Sequence, residues 1–496
     1  MVFWGNSIKW YQQTRLLVNP GNFRYDVEAM DKLKRVLSSQ VHQFIDQEVK
    51  IAGWVNIRRD HGKLIFLDLR DKDGIIQVVV NPRVSEEAHK ATQEVRSEYV
   101  LEIIGKVNKR PEGAINKDII SGTVEIEAID VKIISKAETP PFDLTTSGEE
   151  IGEELRLKYR YLDLRRSRMQ KNIRERHKVI KVIRDYLDKE GFIEVETPIL
   201  TKSTPEGARD YVVPSRLEKG KFYALPQAPQ QYKQLLMIAG VEKYFQIARC
   251  FRDEDTRSDR QPEFTQLDLE MSFVARDDVM DLNEKLLVHI VKTLTPNKKI
   301  QEVPFPRLTH KDAIVKYGTD RPDLRTDKND PNLLAFCWIT DFPFFEKTEE
   351  GGWTFTHNPF SSPKPEFMDD LMAKKNIPEI ITNQYDIVLN GFEIGGGSIR
   401  NHEAEALKKV FEIMGYEEKQ IVANFGHLLN AFSYGTPPHG GIAWGLDRLI
   451  TVLQNESSIR EVIAFAKTGE GRDLMMDSPS EISEKQLREL GIKIGK

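Results

Sequence analysis

Apolar and polar residues alternate along two runs that flank a densely charged segment near the middle of the chain. Tyr244–Ala248 leads into the segment, and Phe264–Glu270 leaves it with a period of two. This period predicts two strands of an antiparallel hairpin, joined by a charged loop. A solvated loop beside an exposed sheet face is the alternative interpretation. In the exit strand an amide and two carboxylates share one face, which we expect to be the floor of a polar site: Gln266, Asp268 and Glu270.

The pattern upstream also predicts strands. Three runs, one short helical segment and two further runs follow each other, in the order that is typical of an OB-fold, a small barrel that often binds single-stranded nucleic acid. A turn is expected over Arg58–Lys63, and Ser85 suits the N-cap of the helix. The predicted elements are Val49–Ile57, Leu64–Arg70, Ile75–Val80, the helix Ser85–Ser97, Tyr99–Val107 and Thr123–Ile134.

Composition shifts suggest the domain boundaries. Pro140-Pro141 ends the strand pattern, and the polar residues after it indicate a flexible connector. We expect an N-terminal extension over 1–37, the barrel over 38–139, a hinge over 140–165 and a second domain over 166–496. The first 29 residues lack the apolar core of a signal peptide, and we expect the start of the protein at Met30, with a short appended segment as the alternative.

A basic segment opens the second domain. The segment from Arg156 to Lys178 contains ten Lys or Arg residues and only two acidic ones, and its apolar residues recur at helical spacing. We therefore predict a helix that packs its apolar stripe inward and leaves its basic face free to meet phosphate. The stripe consists of Met169, Ile173, Ile180, Ile183 and Leu187.

Composition narrows the class of protein. The 496 residues are 40% hydrophobic and 30% charged, which is typical of globular domains, and no apolar run approaches the ~20 residues that span a bilayer. A net charge of −5 argues against a general nucleic-acid binder. Cys250 and Cys337 provide neither a disulfide framework nor a zinc cluster, so we expect a cytoplasmic protein.

Several polar groups further along suit ligand binding. Glu206 lies in a glycine-containing loop that could close over an ammonium group, although an ordinary surface turn is the alternative. Lys233 is one helical turn from Gln230 and could act on the same ligand, although an exposed lysine is the commoner case. Arg400 suits bidentate capture of a carboxylate, and Arg448 follows glycines at a helix start, where it can reach phosphate.

Asp386 and Glu393 are seven residues apart, so on one unbroken strand they would point to opposite faces. The intervening Asn390-Gly391 predicts a turn or bulge that would realign them. Two carboxylates beside a triphosphate would hold Mg²⁺ through oxygen ligands.

Three segments resemble the motifs of the class II aminoacyl-tRNA synthetases, and most closely those of the aspartate enzymes. Residues 192–200 resemble motif 1, residues 249–273 motif 2 and residues 439–450 motif 3, with aspartate-type matches from about residue 40 to 490. The resemblance implies an α+β protein, with an OB-fold anticodon-binding barrel followed by a catalytic domain built on an antiparallel sheet flanked by helices. It also implies ATP-dependent ligation of L-aspartate to tRNA(Asp) through an aspartyl-adenylate, with Mg²⁺, in a homodimer formed through motif 1.

The resemblance assigns roles to individual residues. Catalysis would depend on Arg252, Glu393 and Arg448, and Mg²⁺ would bind Asp386 and Glu393. Aspartate would be bound by Glu206, Gln230, Lys233, Arg252, Asp268, His357 and Arg400. ATP would be bound by Arg252, Asp253, Glu254, Gln261, Phe264, Glu393, Gly445, Leu446, Asp447 and Arg448.

In the barrel the resemblance assigns anticodon reading to Arg59, Phe66 and Gln77. Phe66 alone could equally be a core aromatic. His61 and Gly113 match the enzymes that also charge tRNA(Asn), although His61 could simply be a turn residue. The open alternatives are a strictly tRNA(Asp)-specific enzyme, an asparagine-specific synthetase and a tRNA-binding paralogue without ligase activity.

The chain departs from the bacterial pattern at two places. The domain usually inserted between motifs 2 and 3 is absent, because only about nine residues connect Asp323–Arg325 to the strand near Ala335. Asn358 stands where the family often has a second histidine, and its role is left open.

Overall fold

The structure, a computed structural model, describes residues 33–256 and 258–495. The chain divides into two compact units, Met1–Thr146 and Ser147–Lys496. The expected start at Met30, and most of the predicted extension over 1–37, lie outside the described residues.

The first unit is a closed five-stranded barrel in the order β1-β2-β3-β5-β4, with one helix between β3 and β4. This topology confirms the predicted OB-fold. Ser85 caps the helix, since its side chain accepts a hydrogen bond from the backbone N–H of Ala88. The elements are β1 (Glu48–His61), β2 (Leu64–Arg70), β3 (Ile75–Val80), α1 (Glu86–Thr92), β4 (Val100–Lys109) and β5 (Val124–Ser135).

Strand β1 is longer than predicted. The turn expected over Arg58–Lys63 is wrong, because Arg58 to His61 still pair with β2, and Arg59 lies opposite Phe66. Only two residues turn the chain, with Gly62 at a φ of 62°. The polar residues that suggested a turn lie on the outer half of a strand instead.

The second unit contains the remaining elements. Its helices and strands are α2 (Glu153–Lys158), α3 (Arg160–Asp163), α4 (Ser167–Lys189), β6 (Ile193–Glu194), β7 (Val212–Pro214), β8 (Phe222–Ala224), α5 (Gln230–Ile238), β9 (Lys243–Phe251), β10 (Glu263–Ser272), α6 (Arg276–Leu294), β11 (Lys299–Ile300), β12 (Arg307–Thr309), α7 (His310–Tyr317), β13 (Leu333–Leu334), β14 (Phe336–Thr340), β15 (Phe345–Lys347), β16 (Trp353–Phe355), α8 (Met368–Ala373), β17 (Gln384–Leu389), β18 (Phe392–Ile399), α9 (Ala404–Ile413), α10 (Glu418–Phe432), β19 (His439–Gly445), α11 (Leu446–Gln454) and α12 (Glu484–Leu490).

An eight-stranded sheet organises this unit, in the order β12-β14-β17-β18-β19-β10-β9-β6. Its pairs are antiparallel except at the two edges, β12 with β14 and β6 with β9. The apolar face of β10 contributes Leu267 and Leu269 to the main hydrophobic core, together with residues of α4, α6 and α11. Because side chains alternate along a strand, the polar residues of β10 point to the opposite face of the sheet.

The basic segment differs from its prediction. Its apolar stripe packs inward, with Met169, Ile183 and Leu187 fully buried. However, several of its arginines are not free to meet phosphate, because they form ion pairs within the protein. Arg156, Arg160 and Arg166 all pair with Asp163, Arg156 and Arg168 pair with Glu461, and Arg176 pairs with Asp447.

The same ion pairs shorten the predicted hinge over 140–165. Helices α2 and α3 lie within that range, yet Arg156 and Arg160 are only 5% and 2% exposed. Arg160 also donates to the backbone carbonyls of Arg460, Ile463 and Ala464. Residues from Ser147 onward therefore belong to the second unit.

Membrane-spanning helices and the state of the two cysteines can be examined in the part of the chain that is described. No helix there is long and apolar enough to cross a bilayer. Cys250 and Cys337 are both buried as free thiols.

We predict that Arg156→Met lowers the free energy of unfolding of the second unit by about 3 kcal/mol or more, because it leaves Glu461 and Asp163 buried with fewer partners. Urea denaturation followed by tryptophan fluorescence measures the change. Lys178→Met is the matched control, since it breaks an exposed pair with Glu175 and should cost less than ~1 kcal/mol. Equal losses in the two variants would contradict a stabilising role of the buried cluster.

Candidate active site

A cavity of about 370 Å³ lies on the polar face of the large sheet. It is bounded by β10, β17, β18 and β19, by the start of α5 and by the charged loop between β9 and β10. The structure brings together most of the predicted site residues here. Those that line it are Glu206, Gln230, Lys233, Arg252, Glu254, Gln261, Phe264, Asp268, His357, Asp386, Glu393, Arg400, Gly445, Asp447 and Arg448.

Three charged side chains in the lining of this cavity, Lys233, Asp268 and Arg400, form ion pairs with each other or with Glu270 behind them, and these four residues are called the floor. Lys233 Nζ from α5 lies 2.8 Å from Asp268 Oδ2 and 3.2 Å from Glu270 Oε2. Arg400 follows β18 and forms a bidentate pair with Glu270, from Nε to Oε1 at 2.8 Å and from Nη2 to Oε2 at 3.0 Å. None of the four is more than 2% exposed. The floor is therefore electrically balanced, with two cations and two carboxylates.

Burial and the neighbouring cations shift the pKa values of these two carboxyl groups in opposite directions. Burial alone would raise the pKa of Glu270, but the charges of Arg400 and Lys233 outweigh it and lower the pKa to about 2. Burial raises the pKa of Asp268, and the opposing influence of Lys233 offsets only part of this rise. Asp268 Oδ1 is buried and has no hydrogen-bond partner within the described chain. That oxygen can accept a hydrogen bond from a ligand.

The floor also retains donors. Lys233 donates one hydrogen bond, to Asp268, and forms an ion pair with Glu270, whereas the contacts of Arg400 with Glu270 and Ser398 use three of its five N–H groups. These hydrogen-bonding groups would all be paired by a ligand that presents acceptor oxygens to the N–H donors and a donor to Asp268. An α-amino acid with a side-chain carboxylate has both features.

Asp386 and Glu393 line the same cavity, as their realignment requires. The chain turns between β17 and β18 at Asn390-Gly391, with φ values of 51° and 87°. A register shift between Ile387 and Val388 adds the bulge, so that Asp386 pairs with Gly396 and Val388 with Glu393. The predicted turn or bulge is confirmed, since the hairpin contains both a turn and a bulge.

These two carboxylates fit a divalent cation. Burial, and then the nearby Glu393, raise the pKa of Asp386 well above its ordinary value. A cation between the groups would relieve this repulsion. No cluster of three or more His, Cys, Asp or Glu side chains that could hold a metal occurs within 33–256 and 258–495. The remaining ligands would have to come from water and phosphate, which is how Mg²⁺ is usually bound with nucleotides.

Cationic side chains and an aromatic ring border the other end of the cavity. The Arg252 guanidinium lies over the Phe264 ring, 5.1 Å from its centroid. Arg448 donates to the Glu393 carbonyl at 2.9 Å and pairs with Asp259 of the charged loop at 3.2 Å. Gln261 accepts a hydrogen bond from the backbone N–H of Lys467. The loop is thus held above the sheet by ion pairs and hydrogen bonds that a phosphate could replace.

Two predicted nucleotide contacts do not line the cavity. The Leu446 side chain is fully buried in the hydrophobic core on the other face of the sheet. Asp253 faces Arg209, with its carboxylate 3.9 Å from Nε. Asp447 does border the cavity, but its carboxylate pairs with Arg176 and accepts from the backbone N–H of Thr265. Asp447 therefore positions the strand that carries Phe264.

Glu206 forms part of a wall between two cavities. It accepts hydrogen bonds from Thr204 Oγ1 at 2.9 Å and Gln231 Nε2 at 2.8 Å, and burial raises its pKa. A second cavity of about 460 Å³ lies on the far side and shares Glu206 and Ala228 with the first. Hydrogen bonds between Ala208 and the Gln227 side chain also hold the loop that carries Glu206 against this wall.

Glycines bring the backbone close to the floor. A Cβ on Gly396 would lie 2.7 Å from Asp386 Oδ1, and one on Gly397 would lie 2.1 Å from the Gly441 carbonyl oxygen. The first contact would block the Asp386 carboxylate, and the second would separate two paired strands. The need for glycine is thus steric at both positions.

The predicted anticodon residues share the outer face of the barrel. Phe66 is only half-buried and lies outside the barrel core, so the core interpretation is wrong. Arg59 forms a bidentate pair with Asp68 at 2.7 and 2.8 Å. Gln77 lies opposite Asp68 and donates to Glu125 at 3.0 Å, so it is diagonal to Phe66 rather than directly opposite.

The two residues linked to tRNA choice lie in different segments. His61 stands at the end of β1, and its ring meets Phe66 edge to face at 5.6 Å between centroids. Gly113 lies in a short 3₁₀ helix, where an added Cβ would meet open space.

Sequence reasoning missed several polar residues of the site. Glu270 was on the polar face predicted for β10, but it was given no role. Gln384 lies two residues before Asp386 on the same strand face, a spacing that could have revealed it. Gln234 and His439 are buried beside the floor and contact each other at 3.2 Å, and no local pattern distinguishes them from core residues.

Comparisons with known proteins identify the family of the chain. A profile of the tRNA synthetases class II (D, K and N) matches residues 152–469, and one of the OB-fold nucleic acid binding domain matches residues 49–134. Aspartate–tRNA ligase from Staphylococcus saprophyticus is 41% identical over 577 aligned positions, which cover 91% of this chain and 97% of that protein. The alignment exceeds the 496 residues of this chain, so the relative contains sequence that this chain lacks.

Solved structures show the same fold. Asparaginyl-tRNA synthetase from Pyrococcus horikoshii, complexed with asparaginyl-adenylate, matches with a TM-score of 0.69 at 23% identity, over 86% of this chain and 96% of that one. Aspartyl tRNA synthetase from Entamoeba histolytica matches with a TM-score of 0.70 at 23% identity, over 90% and 94% of the two chains.

Proposed function

The chain belongs to the class II tRNA synthetases, among the aspartate–tRNA ligases, and we propose that it joins L-aspartate to tRNA(Asp) and also to tRNA(Asn) through an aspartyl-adenylate. The observation that carries the amino-acid part is the cavity floor, where the donors of Lys233 and Arg400 lie beside the unpartnered acceptor oxygen of Asp268.

Aspartate would bind by extending this floor. Its side-chain carboxylate would take the remaining donors of Lys233 and Arg400, and its ammonium group would donate to Asp268 Oδ1. Glu206, at the wall of the cavity, would accept a hydrogen bond from the same ammonium group. Gln230 and His357 line the cavity beside these groups and would complete the binding site.

In the first step, an oxygen of the aspartate α-carboxylate would attack the α-phosphorus of ATP, and the bond to pyrophosphate would break. Arg252 would neutralise charge on the α-phosphate, Phe264 would stack on adenine, and Glu254 and Gln261 would contact the nucleotide. Asp386 and Glu393 would hold Mg²⁺, which neutralises phosphate charge when bound. Catalysis would come from positioning and charge neutralisation, with no covalent enzyme intermediate.

In the second step, a hydroxyl of the terminal ribose of tRNA would attack the aspartyl carbonyl carbon, and AMP would leave. Arg59, Phe66 and Gln77 would read the anticodon from the barrel, with a base stacked on Phe66. His61 and Gly113 are the residues that would permit tRNA(Asn) as a second substrate.

The proposed homodimer is supported by the edge of the sheet. Strand β6 is the outermost strand, and Ile193 on it is 55% exposed. Leu200, Val212 and Phe222 nearby in the chain are each more than half exposed. A sheet edge with exposed apolar residues on it and near it in the chain is a surface that a second copy would cover. We place the dimer in the cytoplasm.

Two alternatives are less well supported. A paralogue without ligase activity would not need the cavity residues, yet Arg252, Glu393 and Arg448 all line it. Charge alone does not exclude an asparagine-specific enzyme, because Asp268 and Glu270 already neutralise Lys233 and Arg400. The 41% identity to an aspartate–tRNA ligase favours aspartate.

We predict that Arg400→Leu reduces aspartate-dependent exchange of pyrophosphate into ATP by at least ~100-fold, because charge-assisted hydrogen bonds contribute about 1.5–3 kcal/mol each. Arg400→Lys should fall between this variant and the native protein, since lysine keeps the charge but not the bidentate geometry. Arg58→Leu is a matched control that removes an arginine–carboxylate pair from the barrel. Full exchange by the Arg400→Leu variant would exclude Arg400 from the substrate site.

A second prediction concerns pH. Burial raises the pKa of both Glu206 and Asp268, and both must be ionised to accept the ammonium group. As pH falls, each therefore protonates earlier than an ordinary carboxyl group, and kcat/KM for aspartate should fall with a slope approaching two protons. At saturating ATP and Mg²⁺ the cation keeps Asp386 ionised, so Glu206→Gln should reduce this slope to about one, because Asp268 is then the remaining carboxyl group that binds the ammonium group. Exchange rates measured across the acid range test this, with exposed Glu218→Gln as the control. An unchanged acid limb would exclude Glu206.

A third prediction concerns the tRNA substrate. Both purified tRNA(Asp) and tRNA(Asn) should accept labelled aspartate. Phe66→Ala should raise KM for both by ~10-fold or more while exchange without tRNA is unchanged, because stacking of one base contributes about 1–3 kcal/mol. Failure to charge tRNA(Asn) would leave a strictly tRNA(Asp)-specific enzyme. Loss of exchange in the Phe66 variant would show damage beyond the barrel.

A further inference from the structure

Asn358, whose role the sequence leaves open, is held by hydrogen bonds at both the oxygen and the nitrogen of its side-chain amide. Its Oδ1 accepts from the backbone N–H of Phe360 at 3.0 Å. Its Nδ2 donates to Gln384 Oε1 at 3.1 Å. Ser361 Oγ lies 3.3 Å from both of these oxygens and can donate its one proton to either. Asn358 is thus tied to the first residue of β17.

The contact with Asn358 fixes which way the Gln384 amide points. Gln384 is 4% exposed, and its Nε2 donates to Asp386 Oδ1 at 2.7 Å. If the amide were turned over, its NH₂ would face the NH₂ of Asn358 and its oxygen would face the Asp386 carboxylate. Donor would then face donor, and acceptor would face acceptor, at a buried site where neither pair can form a hydrogen bond. Asn358 therefore stabilises the single orientation in which Gln384 donates to Asp386.

Asp386 is in turn held on more than one side. Its Oδ1 receives the Gln384 hydrogen bond, and the absent Cβ of Gly396 leaves just enough room beside that oxygen. Its Oδ2 lies 3.6 Å from His357 Nδ1, at the cavity wall. The carboxylate plane is consequently defined before any ligand arrives.

We propose that Asn358 and Gln384 are positioning residues that orient the Asp386 carboxylate toward the divalent cation of the ATP complex. The proposal rests on the function proposed above. Partners that hydrogen-bond a ligating carboxylate fix its orientation, and their removal weakens metal affinity by about 10–100-fold. Asn358 would act through Gln384, because the hydrogen bonds of its side chain within the described chain join it to Gln384, Phe360 and Ser361 and not to Asp386 or Glu393.

Direct binding of Mn²⁺ tests this orientation without catalysis. Electron paramagnetic resonance would measure free Mn²⁺ during titration of the full-length protein with α,β-methylene-ATP, which cannot be cleaved at the α-phosphorus. Gln384→Leu should weaken Mn²⁺ binding ~10-fold. Asn358→Leu should weaken it by a smaller factor, roughly 3-fold. The double variant should be no weaker than Gln384→Leu alone, because the two residues act in series.

A kinetic measurement complements the titration. The Mg²⁺ concentration for half-maximal exchange should shift by the same factors, while KM for aspartate stays within ~2-fold. Asn358→His should retain most of the affinity, since an imidazole N–H can also donate to Gln384. Asn383→Leu is the matched control, because the neighbouring amide donates to Ser362 Oγ and the Pro363 carbonyl instead.

Different failures have different meanings. Unchanged Mn²⁺ affinity in Gln384→Leu, additive losses in the double variant, or an equal loss in Asn383→Leu would overturn the proposal. If Gln384→Leu fails to fold, the half-buried Asn358 variants decide the matter by the same titration. Absence of exchange in the native protein would instead contradict the proposed function, and Mn²⁺ binding would still report on Gln384.

Discussion

Two cations and two carboxylates are buried together on one face of the catalytic sheet, and none of them can be stable there alone. Removing an ion from water costs several kcal/mol unless partners of opposite charge are already in place. Lys233 comes from a helix, Asp268 and Glu270 from a central strand, and Arg400 from the end of another strand. The charges are satisfied only when these three elements have packed correctly, so formation of the site is coupled to formation of the fold.

Strand β10 makes this coupling possible because one of its faces packs in the hydrophobic core and the other lines the cavity. Leu267 and Leu269 anchor it in the core, which fixes its register, and the intervening residues are then presented to the cavity. Because the side-chain period is two, a slip by one residue would bury carboxylates in the core and expose leucines. In the hairpin of β17 and β18 a bulge brings Asp386 and Glu393 to the same cavity, whereas in β10 simple alternation is enough to place its polar side chains there.

Features encoded by local pattern were predictable from the sequence. The barrel order, the polar face of β10 and the turn at Asn390-Gly391 follow from alternation and turn chemistry. Features that depend on distant partners were not. The local sequence predicts a free basic residue at Arg156, because its partner Glu461 lies 305 positions further along the chain. The motif predicts a nucleotide contact at Leu446, because a motif does not show to which side of the sheet each of its side chains points.

The balanced floor also changes how aspartate and asparagine would be told apart in the proposed reaction. Net positive charge cannot be the reason, since Asp268 and Glu270 neutralise Lys233 and Arg400. The donors that remain on these two residues can only be satisfied by acceptors. Both oxygens of a carboxylate accept, whereas the NH₂ group of an amide would face N–H groups and leave them unpaired in a buried site. Mismatches of this kind discriminate far more strongly than differences in size. Specificity would therefore reside in hydrogen-bond polarity, which the carboxylates of the floor maintain by holding Lys233 and Arg400 in place.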